Sequence, residues 1–299
     1  DVNKIEPDVR DYLKNLGIEI NFMSRVVDIE KQDKTIRGIY LSDGTYVKGD
    51  VFIEATGSTD PMGNCLRYGN GCSMCILRCP SFGPRVSISA RAGVEDLQGE
   101  REDDVYGAFS GSCKLCKESL SEDLLKEIEE KGSVVLKVPP EDVNLDKLRK
   151  IKGLEKAKYI DPYAGGKANS IRYLSVAPRR DSMKVKGIDN LFCAGEKSGL
   201  FVGHTEAMCT GALAGHNAVR HLLGMPLLIL PKTLAIGDLI SYANFKMATK
   251  EGRRKRYTFA GAEYFDRMKN TGLYSTDNQE IVKRVEKLNL LGIMEGKMV

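Results

Sequence analysis

The sequence predicts an α/β protein, and three observations carry that prediction. A β-rich meander runs from Arg25 into a short apolar strand, Val51 to Glu54, that ends in Ala55-Thr56-Gly57. Far downstream a second apolar strand, Asn190 to Ala194, enters a glycine-rich loop and then a long helix from Thr205 to Leu223. The 299 residues are 42% hydrophobic and 29% charged, a globular balance that excludes a disordered or collagen-like chain. Net charge is +4, which permits nucleic acid as a partner without requiring it. The longest apolar run, Leu222 to Leu230, is broken by Gly224 and Pro226 and falls well short of the roughly 20 residues a membrane span needs. No secretory signal is visible, and the first residue is Asp1, which fits a processed end or a piece of a longer chain.

The elements follow from local patterning. Residues 7–16 read as a helix, with Pro7 suited to the first turn, Val9, Leu13 and Leu16 on one face, and Gly17 as the stop. Strands are expected at 18–22, 25–30 and 36–41, with a tight turn at Asp43-Gly44. Residues 58–118, rich in Gly, Ser, Cys and Pro, read as loops with short strands. An amphipathic helix follows from Ser119 to Lys131, closed by Gly132. A strand at 133–138 stops at Pro139-Pro140, and 145–151 reads as a short helix. Residues 161–190 mix loop and strand. Beyond Pro231 the tail is mostly helical, and Ile281, Val285 and Leu288 predict helix packing there.

Two stretches point to a ligand. Gly57 lets backbone approach a ligand where a Cβ would clash, and Thr56 stands beside it. In 187–220, Gly195 and Glu196 follow the strand, and Gly203, His204, Thr205 and Glu206 stand where the helix opens. A helix start presents unpaired N–H groups and partial positive charge to a phosphate or a reduced ring. Ala207, Gly211, Ala214, Gly215 and Ala218 form a small-residue stripe that lets the helix lie close to a sheet or cofactor. The plain alternatives are an ordinary turn after a core strand and a βα unit without ligand.

Five of the eight cysteines cluster: Cys72, Cys75 and Cys79 as C-x2-C-x3-C, and Cys113 and Cys116 as C-x2-C. Such spacing suits a metal, an iron–sulfur cluster, a dithiol working by exchange, or buried thiols. Cys193 and Cys209 read as structural thiols. His216 and His221 are five apart, which suits a shared metal poorly; His204 stands at the helix mouth. The loop 161–173, with Lys167, Asn169 and Arg172, suits an anionic substrate or a solvated hairpin. The run 250–257 holds five basic residues and one acid, and reads as a solvated surface with RNA phosphate as the alternative.

The meander ending in Ala-Thr-Gly, followed by "NLFCAGE…GHTEA…GALAGHNA", resembles FAD-binding flavoproteins of the glutathione-reductase-like class. Within that class the chain most resembles the family of glucose-inhibited division protein A and the folate-dependent tRNA uracil methyltransferase flavoproteins. The segment "LPKTLAIGDLISY" is similar to one that the methyltransferases carry after the same helix. The blocks "YGNGCSMCILRCPSFGPRVSIS", "SGSCKLCKESLS" and "DPYAGGKANSIRY" resemble uncharacterised FAD-dependent oxidoreductases of anaerobes. The resemblance covers most of residues 1–245. It implies a Rossmann-like FAD-binding domain with an inserted α+β domain, to which the residue pattern beyond Pro231 adds a helical C-terminal tail. The parts would be FAD-domain residues 1–60 with the meander, an inserted cysteine-rich substrate domain over 61–185, a returning FAD-domain strand and helix over 186–225, and a helical region over 226–299. The Gly-x-Gly-x-x-Gly turn that opens such proteins is not found in this sequence.

The leading expectation is a cytoplasmic, FAD-dependent oxidoreductase. Thr56, Gly57, Gly195, Glu196, Gly203, His204, Thr205 and Glu206 would bind the cofactor, and Cys72 and Cys75 would pass electrons or form a substrate adduct. A metal or iron–sulfur relay is a further cofactor option. Partners would be a small-molecule substrate or electron-transfer protein, with no membrane, and a homo-oligomer or a partner chain supplying the glycine fingerprint. Two alternatives stand beside it: a tRNA-modifying flavoprotein or RNA-binding module, and a non-catalytic flavoprotein fragment.

Overall fold

The structure, a computed structural model, describes residues 2–58, 85–100, 108–109, 115–132, 145–158, 171–172 and 174–296, with positions 134, 136 and 298. Helix α1 (Val2–Asn15) precedes a meander of β1 (Val26–Gln32), β2 (Thr35–Leu41) and β3 (Tyr46–Lys48), paired antiparallel in that order. The next strand, β4 (Phe52–Glu54), leaves the meander and pairs parallel with β9 (Leu191–Cys193), Ile53 opposite Phe192. Between them lie α2 (Ile88–Arg91), β5 (Leu97–Gln98), β6 (Ala108–Phe109), α3 (Glu122–Lys131), α4 (Leu145–Leu148), β7 (Ile171–Arg172) and β8 (Ser175–Val176). Strand β5 pairs with β8 and β6 with β7, both antiparallel. The architecture is mixed α/β.

Strand β9 lies at the centre of the packing, and all three of its residues are buried. Its side chains alternate, as a pleated strand requires. Leu191 and Cys193 face the cluster that holds Ile36, Ile88 and Ile188, on the meander side. Phe192 faces Leu213, Ala214 and Ala218 of α5 (His204–Leu222). A parallel strand covered on both faces must be apolar throughout, which is why Leu-Phe-Cys is legible as core.

One side chain joins the meander to β9. Strand β3 is too short to reach Ile36, so the backbone of Ile36 lacks a ladder partner on that side. Asn190 fills the gap: its Oδ1 accepts from Ile36 N at 2.9 Å, and its Nδ2 donates to Ile36 O at 2.8 Å and Asp50 O at 2.9 Å. Asn217 of α5 acts similarly, donating to Ser182 O and Leu228 O and accepting from Leu228 N.

The C-terminal region is helical: α6 (Ala235–Met247), α7 (Lys250–Arg253), α8 (Ala262–Asn270) and α9 (Asn278–Lys287). It covers the core through Leu239, Tyr257 and Tyr264. Arg267 grips Asp238 with two bonds of 2.8 Å and so ties α8 to α6. Helix α9 forms but buries no residue fully; Ile281 is exposed, and Val285 and Leu288 are half-buried.

Several local expectations need correction. Residues 18–22 form no strand; Ile18 and Phe22 are exposed, and no described segment offers them a ladder. Helix α1 begins at Val2 and carries Pro7 inside it, so Pro7 is not the opening residue. Helix α3 starts later than Ser119: Ser121 is its cap, accepting from Leu124 N, and Gly132 closes it in the left-handed conformation. The stripe on α5 is split: Ala214 and Ala218 are packed, whereas a Cβ on Gly211 or Gly215 would meet nothing within 4 Å. The basic run 250–257 is not simply solvated, since Gly252 and Tyr257 are buried and Arg253 clamps Glu100. The expected strand at 133–138 and loop at 161–173 lie mainly outside the described residues; of that loop, Ile171–Arg172 is described, as strand β7.

Two outcomes follow. Asn190→Ala leaves the buried N–H and C=O of Ile36 without partners, and should cost about 2–4 kcal/mol in urea unfolding. His216 and His221 are both held below the ordinary imidazole value, first by burial, then by Arg220 and Lys184 respectively. The fold therefore prefers them neutral, so their stability contribution is full above about pH 6.5 and is lost as pH falls through their lowered folded values. Unfolding midpoints measured against pH should show that acid limb, and His216→Gln with His221→Gln should flatten it.

Candidate functional site

Strands β4 and β9 end side by side, and ligands of open α/β sheets bind in the crevice outside such carboxyl ends. Thr56 and Gly57 leave β4 there, and Gly195 and Glu196 leave β9. Gly57 (φ 77°) and Gly195 (φ 60°) are both left-handed, a conformation that strains a residue with a Cβ. Gly195 N donates to Thr210 Oγ1 at 2.9 Å, and Thr210 Oγ1 donates to Glu206 O at 2.7 Å, so the loop is pinned to α5. Residues 195–198 form a single 3-10 turn. Glu196 is half-exposed and accepts from Ser58 Oγ at 3.2 Å. Thr56 donates to Glu54 Oε1 at 3.1 Å.

Gly203 caps α5 with extended backbone and supplies no side-chain cap. His204 and Thr205 are exposed at that helix start. Glu206 turns inward instead: it is buried, and its Oε1 accepts from Phe259 N at 2.5 Å. A Cβ on Gly203 would stand 1.9 Å from Glu206 Oε2, so glycine is what lets this carboxylate reach the C-terminal segment.

Cys72 and Cys75, with Cys65, Cys79 and Cys113, lie outside the described residues. Cys116 is half-buried and borders an open cleft of about 440 Å³ with Ser119, Arg149, Lys156 and Lys158. Burial pushes the Cys193 thiol up to about 12 and raises that of Cys209, so neither is a ready nucleophile. Among the described residues no group of three His, Cys, Asp or Glu side chains is placed to hold a metal.

Beneath the crevice lies a buried polar cluster absent from the sequence reading. Lys197 is fully buried; its Nζ donates to Asp96 Oδ2 at 2.6 Å and Ser87 Oγ at 2.8 Å, and stands 3.7 Å from Glu54 Oε1. Asp96 also accepts from Ser87 Oγ (2.7 Å), Ser89 Oγ (2.8 Å) and Ser175 Oγ (3.0 Å). Glu54 accepts from Ile88 N (2.8 Å) and Ser89 N (2.9 Å) at the start of α2. Two carboxylates and one ammonium are thus taken from water together, each hydrogen-bonded. The residue beside Lys197 is Glu196, and the two residues after Glu54 lead to Thr56, so the cluster fixes both lips of the crevice. No local motif signals it: Glu54 simply ends an apolar strand, and Lys197 lies within the glycine-rich loop.

The fold defines a mixed α/β protein in which two parallel strands end side by side. The sequence profile described as "Glucose inhibited division protein A" matches residues 1–141 and 137–226, and the chain belongs to that family. It is 37% identical over 124 residues to the tRNA uridine 5-carboxymethylaminomethyl modification enzyme MnmG of Chlorobaculum tepidum, covering 41% of this chain and 19% of the relative. The enzyme of the same name from Clostridium novyi is 31% identical over 195 residues, covering 52% of this chain and 30% of the relative. The chain thus matches less than a third of the length of either relative. A solved structure of Aquifex aeolicus GidA aligns at TM-score 0.47 and 15% identity, over 93% of this chain and 62% of that one.

The cluster makes a clear energetic demand. Lys197→Met leaves Glu54 and Asp96 buried without their counter-charge and should cost about 3–5 kcal/mol in denaturant unfolding. Asp96→Asn in the same chain should recover part of that loss, and a double-mutant cycle measures the coupling.

Proposed function

We propose that the protein is a flavin-dependent enzyme that modifies uridine in tRNA. The observation that carries this is the family match over residues 1–226, which includes both lips of the crevice; the named relatives, tRNA uridine modification enzymes, support the substrate. This reading is preferred over an oxidoreductase of unspecified substrate and over a non-catalytic remnant.

The crevice residues fit part of an FAD site. Gly57 and Gly195 allow backbone to approach a flat or phosphate-bearing group. Glu196 offers carboxylate oxygen to ligand hydroxyls. The start of α5, with Gly203 and the exposed His204 and Thr205, offers N–H groups and partial positive charge to ligand oxygens. Glu206 acts from below by holding the segment at Phe259. When bound, FAD supplies the hydride and electron chemistry, and the protein supplies orientation and charge. On this reading residues 1–60 and 186–225 form the cofactor part, 61–185 the substrate part with Cys72 and Cys75 as thiols for a substrate adduct, and 226–299 a helical cover. The place of action is where tRNA is, in the cytoplasm.

Two measurements test the proposal. Purified protein should show a flavin absorption spectrum, and Glu196→Ala should weaken FAD binding about tenfold, the loss of a hydrogen bond to a charged group, without loss of folded structure. Nucleoside analysis of tRNA from cells lacking the protein should show loss of 5-carboxymethylaminomethyl uridine. A colourless protein together with unchanged tRNA would sink the reading.

A further inference from the structure

Arg256 stands in the segment after α7, bolted against the loop that follows β9. Tyr257 N donates to Leu200 O at 3.0 Å, and Tyr257 bridges to Phe201 in parallel. On the other side Arg256 passes over the end of β5, where its Nη2 lies 3.7 Å from the position a Cβ on Gly99 would take. Its Nη1 donates to Lys255 O at 2.7 Å. Its Nε and Nη2 are buried and have no hydrogen-bond partner among the described residues.

The neighbouring cations differ. Arg253 is engaged by Glu100 at 2.6 Å, Lys255 by Glu263 at 3.4 Å, and Lys250 and Arg254 also have partners. Burial draws the Arg256 guanidinium down to about 10, partly offset by the charges of Tyr257 and Glu196. No ion pair joins Glu196 to it among the described residues, so the charge of Glu196 offsets the burial only in part. Unpaired buried N–H groups on a cation are costly, and proteins keep them where something else completes them. The two unpaired atoms are also specific. Nε and Nη2 form one edge of the guanidinium, whose parallel N–H bonds match two oxygens of a carboxylate or phosphate.

We propose that Arg256 forms an oxyanion-binding site between the loop after β9 and the end of β5, taking a carboxylate or phosphate side-on through Nε and Nη2. The site does not depend on the flavin reading. It gives the acidic group of a ligand a fixed anchor, held in place by the β9 loop on one side and the end of β5 on the other.

The test is thermal unfolding of the intact chain at constant ionic strength, in chloride, inorganic phosphate or acetate. The wild-type midpoint should rise by roughly 2–4 °C in one of the two oxyanions at about ten times its dissociation constant. A rise with phosphate alone assigns a phosphate, and a rise with acetate alone a carboxylate. Arg256→Met should lose the rise while its midpoint in chloride is no lower than wild type, because it removes an unpaired buried charge. Arg256→Lys, which keeps charge but not the forked edge, should lose most of it. No oxyanion-specific rise in the wild type, or an equal rise in Arg256→Met, overturns the proposal. So does a lowered Arg256→Met midpoint in chloride combined with a full rise in Arg256→Lys.

Discussion

The contact between the Lys197 ammonium and the Asp96 carboxylate holds together segments that the chain separates widely. Ser87 and Ser89 at the start of α2, Asp96, Ser175 of β8 and Lys197 after β9 all meet there, with Glu54 of β4 beside them. None of these groups is tolerable alone in a dry interior. Their joint satisfaction dictates one arrangement, because every oxygen of Asp96 is already committed to a particular donor. Apolar packing around β9 supplies most of the driving force but is less directional. The polar cluster adds the specification: it sets how far β4 and β9 project and therefore where Gly57 and Gly195 sit.

The same division of labour recurs in the buried Arg179. Its donors go to the carbonyls of Ser198 (2.5 Å), Ile240 (3.0 Å) and Arg180 (3.3 Å). It thereby ties the turn after β9 to helix α6. Burial lowers its pKa, with Cys193 and Asp181 opposing. The crevice loop is thus held from beneath by a lysine, from behind by an arginine, and from the side by Thr210. A loop so fixed presents its glycines in one conformation, which suits a pre-organised ligand site.

Much of this was legible in the sequence, and the reasons differ by element. The meander, the strand at 191–193 and helix α5 carry strong periodic or apolar signals, and they stand where expected within a few residues. The run 18–22 misled because β-rich composition does not supply a neighbouring strand. Glu206 was placed among the cofactor-facing residues by its position at a helix start, yet its side chain turns inward to Phe259 N, a contact between residues 53 apart. The Lys197 cluster was not legible because its members, from Glu54 to Lys197, lie up to 143 residues apart and each looks ordinary locally. Arg256 was read as one cation in a basic run; only the backbone course around Tyr257 and Gly99 sets it apart from its neighbours.

The Asn190 clamp has a consequence for how the chain acquires its shape. It joins residues 154 apart, and the parallel pairing of β4 with β9 spans a similar stretch. During synthesis the meander therefore emerges long before the strand that completes it. Until residue 190 has left the ribosome, β4 lacks its pairing with β9, and the backbone of Ile36 lacks the Asn190 clamp. Such long-range closure slows folding and prolongs exposure of apolar edges. The nascent chain would then be most vulnerable to aggregation, and most dependent on chaperones, over the whole interval in which the residues between β4 and β9 are being made.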